Sequence, residues 1–132
     1  MPEWLAFEYA VIRIVPRVER AEFLNAGVVL ICRERRFLAA QVELDRARLQ
    51  CFAPFCSDNQ IARIEEQLAL IPRIAAGDKR AGPIALLDFR ERWHWLASPA
   101  STVLQPSPAH TGLCLDPAEE LNALFDELVR LP

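Results

Sequence analysis

The run from Glu8 to Val15 alternates so that Ala10, Ile12 and Ile14 share one face of an extended segment while Tyr9, Val11, Arg13 and Val15 share the other. Both faces are mainly apolar, so the pattern predicts a strand covered on both sides. Pro16 stops it. The mixed charges of Arg17, Glu19, Arg20 and Glu22 then predict a short helical turn leading through Phe23, Leu24 and Asn25, where Asn25 and Gly27 suit a left-handed or tight backbone. Two further β-rich runs, Val28–Cys32 and Phe37–Leu44, are separated only by Arg33-Glu34-Arg35-Arg36. A link that short cannot make a parallel crossover, so an antiparallel hairpin with a charged tip is expected.

Helical signals follow. Asp45 is an N-cap, flanked by Leu44 and Leu49 as a hydrophobic staple, for a short helix to about Phe52. Ser57-Asp58-Asn59-Gln60 has the form of a capping box, with Ile61, Ile64, Leu68 and Ile71 at helical spacing behind it. That helix is expected to end or kink near Pro72, ahead of a loop over Gly77–Pro83. Trp93–Ala97 reads as extended and Thr102–Gln105 as a further strand, the two forming a second hairpin, after which Pro106 and Pro108 predict an irregular path through His110, Thr111 and Gly112. Asp116-Pro117-Ala118-Glu119-Glu120 starts a closing helix with a stripe of Leu121, Leu124, Phe125 and Leu128. The sum is one α+β domain over 1–132, with a mostly antiparallel sheet of about four or five strands and two to three packing helices.

Composition removes several classes of function. A net charge of −3 gives no electrostatic reason to expect DNA or RNA. Apolar runs such as Ala26–Cys32 are too short to span a bilayer, and Met1-Pro2-Glu3-Trp4 lacks the pattern of a secretory signal, so a cytoplasmic protein is expected. Cys32, Cys51, Cys56 and Cys114 include no Cys-x-x-Cys pair and are expected as free thiols. No Gly-x-Gly-x-x-Gly, Walker loop, His-Glu-x-x-His or Gly-x-Ser-x-Gly pattern occurs, and no cofactor or metal is expected. His94, His110 and Cys114 have no recognised ligand spacing.

Between Trp93 and Leu115 the chain carries no charge, yet it holds five of the six serines and threonines and both histidines. Such clustering marks a binding site or a loop that satisfies its own backbone. Arg13, mid-strand among apolar neighbours, needs either an internal carboxylate such as Glu43 or Glu8 or an external anion. The candidate ligand-binding residues are therefore Arg13, Arg17, Asn25, His94, Ser101, Thr102, His110 and Thr111, with no catalytic residue assigned.

The segment Tyr9–Leu30, together with Trp95–Gln105 and Ser107–Gly112, resembles a bacterial family known as domain of unknown function 3037. The resemblance covers essentially the whole chain. It implies a bacterial, cytoplasmic, single-domain protein with no assigned activity, and marks Arg13, Arg17, Glu19, Asn25, His110 and Thr111 as recurring polar positions. It also places glycine where this chain has Ala21, at the turn after Pro16.

Two functions follow as expectations. The leading one is a small binding or accessory module that acts with a protein partner. The alternative is an enzyme or sensor for a small anionic ligand, with Arg13, His94 and His110 converging beside Ser101 and Thr102. Oligomeric state is open.

Overall fold

The computed structural model describes residues 3–131. β1 (Leu5–Ile14) runs through the middle of a five-stranded antiparallel sheet. It starts ahead of the predicted Glu8 because Leu5 and Phe7 continue the buried alternation. β2 (Leu24–Cys32) pairs along one side of β1, and β3 (Phe37–Val42) pairs with β2 across a turn at Arg33–Arg35, the hairpin the sequence predicts. On the other side, β4 (Leu104–Pro106) and β5 (His110–Cys114) lie end to end, β4 beside Ile12–Ile14 and β5 beside Leu5–Tyr9.

Helices cover both faces, which is why β1 and β2 carry so few polar residues. α2 (Asp58–Ala75) and α3 (Phe89–Ala97) bury Ile61, Ile64, Leu68, Trp93 and Leu96 against Ala10, Ile12, Ile14, Val29 and Ile31. α4 (Pro117–Leu128) lays Leu121 and Phe125 on Phe7, Val28, Leu30 and Cys32. A short α1 (Arg46–Phe52) precedes α2 and contributes Leu49 to the first of these cores. The result is an α+β fold.

Three of the four helices begin where the sequence says they should. Asp45 accepts from the Arg48 amide at 3.1 Å, and Ser57 and Gln60 close a reciprocal capping box. Asp116 accepts from the amides of Ala118 and Glu119, with Pro117 at the first helical position. α2 runs on through Pro72 to Ala75, and Ala76 still donates to the Pro72 carbonyl at 3.0 Å. Pro72 has no N–H to donate to the Leu68 carbonyl, but it falls in the last turn, so little helix beyond it has to tolerate a kink.

β2 contains a bulge that controls what reaches the site. Ile12 faces Gly27, but Arg13 faces Asn25, which leaves Ala26 as an extra residue. The extra residue reverses the alternation. Leu24 and Ala26 therefore join the core under α2, while Asn25 turns to the α4 face, where Nδ2 donates to the Leu128 carbonyl at 3.1 Å. Gly27 does not have the left-handed backbone expected of it. The left-handed residue in this region is Ala21, at φ 56°, which closes the 3₁₀ turn Val18–Arg20. A glycine at that position, as the family resemblance places there, would avoid the steric cost of a β-carbon in this conformation.

Two expectations fail between α2 and α4. Trp93–Ala97 is helix, so the second hairpin does not exist. Its start is set by Asp88, whose carboxylate accepts from the Glu91 amide at 2.9 Å, and it buries Trp93 and Leu96 one turn apart. His110–Gly112 is regular strand in place of an irregular loop. Pro106 and Pro108 are accommodated because they lie on the sheet edge, where a missing N–H breaks no ladder.

The four cysteines are free. Burial pushes the Cys114 and Cys56 thiols up, which keeps them protonated and poorly nucleophilic. No helix among the described residues is long and apolar enough to cross a membrane.

Candidate functional site

Much of the uncharged stretch serves its own backbone. Ser98 donates its hydroxyl to the His94 carbonyl, Thr102 donates to the Leu104 carbonyl at 2.8 Å, and Gln105 Nε2 donates to the Thr102 carbonyl at 2.8 Å. Ser107, in the gap between β4 and β5, is the buried polar residue among those described. Its Oγ accepts from the Val11 amide at 2.8 Å and donates to the Pro108 carbonyl at 2.9 Å, while its own amide donates to the Val11 carbonyl at 2.7 Å. Ser107 thus bridges the break between the two edge strands and completes the hydrogen bonding of β1. Ser107→Ala is expected to leave the buried Val11 N–H without an acceptor and to lower stability by about 1–3 kcal/mol, measured by chemical denaturation.

The candidate residues are distributed over several places. Arg13 and Ser101 share one open cleft of about 310 Å³ with Val15, Val18, Phe23 and Gln105. Thr102 borders a different and more apolar cleft of about 490 Å³ between α2, α3 and β4, walled by Ile71, Ile74, Trp95, Leu96 and Leu104. Asn25 lies in a third, of about 300 Å³, beside the end of α4 and the charged groups of Glu43, Asp45, Arg48 and Arg130. Arg17 is exposed, 4.7 Å from the Phe55 ring centroid and 4.0 Å from Glu19. His94 is exposed on α3.

His110 and Thr111 are neighbours on β5 and so face opposite sides of the sheet. His110 stands against the Tyr9 ring, 5.2 Å between centroids. Arg13 shares the face of His110, but the two sit four positions apart along β1, a separation of about 13 Å. Arg13, His94 and His110 therefore do not converge. Cys114 lies a further four positions along β5 from His110, in the core under α4. Among the described residues no group of three or more His, Cys, Asp and Glu is placed to hold a metal ion.

Among the candidates, Asn25 has a buried Oδ1 without a hydrogen-bond donor, and Arg13 is the charged residue whose environment is incomplete. Both carboxylates expected to neutralise it are engaged elsewhere: Glu8 with Arg33 at 2.6 Å and Glu43 with Arg130 at 3.6 Å. Among the described residues no acid pairs with Arg13. Its guanidinium instead lies over the Phe23 ring, Cζ 4.0 Å from the centroid, and its buried Nε has no hydrogen-bond acceptor. A ring face offsets part of the cost of withdrawing the charge from water, but accepts none of its N–H groups. Phe23, whose ring meets this guanidinium, is a residue the sequence reading passed over as part of the segment leading to Gly27. The available signal was an aromatic residue in an otherwise charged segment.

The chain matches, over residues 9–129, the family described as a protein of unknown function (DUF3037), and it belongs to that family. No curated protein and no solved structure matches it.

Proposed function

We propose that this member of the family is a binding module that receives a carboxylate of a protein partner in the Arg13 cleft. The observation that carries this reading is the half-buried guanidinium with an unsatisfied Nε and no carboxylate of its own. Protein interfaces favour such a group at their anchors, together with exposed aromatic residues. Phe23, Phe52 and Phe55 are all exposed, and Arg13 and Arg17 lie over two of these rings. The neighbouring arginines add little net charge, because Arg17 stands by Glu19 and Arg20 pairs with Glu22. A single uncompensated cation suits one carboxylate better than a polyphosphate chain. Free thiols fit a reducing compartment, so we place the module in the cytoplasm.

The test is an NMR titration of the intact protein that follows the Arg13 Nε–H and the amides of Phe23 and Ser101. The probes are short peptides ending in Phe-Asp or Phe-Glu, with amidated Phe-Asn and Phe-Gln versions as controls. Carboxylate peptides are expected to shift the Arg13 signal saturably while the amides leave it in place. Equal shifts at the exposed Arg33 and Arg46, or none anywhere, would remove the reading.

A further inference from the structure

We infer that β5 pairs antiparallel with β5 of a second copy of this chain, joining two sheets edge to edge. β5 occupies the free side of β1 over Leu5–Tyr9, and its outer edge has no partner strand among the described residues. Natural edge strands are protected by charges, inward-pointing lysines, prolines or bulges. β5 has none of these. Its sequence, His110-Thr111-Gly112-Leu113-Cys114, is uncharged, and its register against β1 runs unbroken over all its residues. The opposite edge, β3, packs against both α2 and α4.

Large apolar side chains are exposed beside this edge. Leu113 is 62% exposed, Leu115 49% and Trp4 58%, which puts three large apolar groups at one corner of the sheet. Cys114 pairs with Leu5, so Trp4 and Leu115 flank the same end of the ladder. The occupant is a second copy because an antiparallel pair of identical strands is self-complementary about a two-fold axis, which closes after two subunits. The absence of any charge from Trp93 to Leu115 means that self-pairing brings no like charges of this stretch together. A strand of this length gives a small interface, so association should be reversible and concentration-dependent. The Arg13 cleft lies toward the other end of β1, and this inference does not depend on it.

Sedimentation equilibrium of the full chain tests the inference. The wild-type mass is expected to rise from 15.0 kDa toward twofold that value across about 1–300 µM, the range of a weak interface. Leu113→Lys should hold it at the monomer value, while Leu86→Lys, an equally exposed leucine outside the sheet, should behave as wild type. Amide exchange across His110–Cys114 should also slow as wild-type concentration rises, a readout that survives even if Leu113→Lys misfolds. A wild-type mass fixed at 15.0 kDa overturns the inference, as does concentration-independent exchange in β5 or undiminished association of Leu113→Lys.

Discussion

Gly27→Ala is expected to lower the free energy of unfolding by about 2–3 kcal/mol, toward the upper end of the cost of forcing an extra methyl into a packed site. The backbone conformation at Gly27 is open to any residue, so the penalty comes from space alone. A β-carbon there would lie 2.8 Å from Val42 Cγ1 and 2.9 Å from the Gln41 carbonyl oxygen. The valine methyl can rotate away. The carbonyl cannot, because Gln41 and Val42 are held in register with Val28 and Gly27 by the β2–β3 ladder. Relief therefore requires the two strands to part beside the Ala26 bulge. Urea denaturation should show the midpoint falling with little change in slope. A loss below about 0.5 kcal/mol, the scatter of neutral surface substitutions, would mean that β3 does not approach β2 this closely.

Phe125→Ala should cost more, about 3–5 kcal/mol, the range for deleting a buried aromatic side chain. Phe125 is 2% exposed and packs with Leu121 against the strand residues Phe7, Val28 and Leu30. α4 is the helix that covers this face of β2, and its replacement side chain cannot refill the space without the helix shifting. The expected observation is a large fall in melting temperature together with increased exposure of Cys32 and Cys114 to thiol reagents. Unchanged thiol protection would show that α4 is not what seals that core.

The architecture was legible where a local rule and the tertiary environment agreed. Asp45, Ser57 and Asp116 act at helix starts through contacts within one turn, so their residue types suffice to identify them. Val28–Cys32 is buried on both faces and therefore reads as a continuous apolar strand. The misreadings have equally specific causes. β2 was not followed back to Leu24 because the bulge at Ala26 breaks the alternation that identifies a strand. Trp93-His94-Trp95 carries the aromatic content of a strand, but the cap at Asp88 and the spacing of Trp93 and Leu96 decide for helix. β5 was hidden because prolines that exclude a central strand are tolerated at an edge.

The site was legible only in part. Arg13 stands out in the sequence because a charge in an apolar strand must be answered by something, and that requirement survives the structure. Its grouping with His94 and His110 rested on the cluster of polar residues between Trp93 and Leu115, and Ser98, Thr102 and Ser107 turn out to bond their own backbone. Phe23 and Gln105 reach Arg13 through the sheet register and the turn after Pro16, neither of which sequence spacing reveals.

The central claim is that Arg13 serves an external anion and not the fold, and comparing stability with peptide affinity in Arg13→Met tests it most directly. Methionine keeps a long apolar side chain against Phe23 and removes the charge together with the unsatisfied Nε. The account predicts unfolding free energy within about 0.5 kcal/mol of wild type. It also predicts affinity for the Phe-Asp peptide reduced by about 10- to 100-fold, the loss expected for one charge-assisted contact. A variant that loses about 2 kcal/mol or more of stability, in a protein whose wild-type form binds no carboxylate peptide, would contradict it and make Arg13 a structural residue.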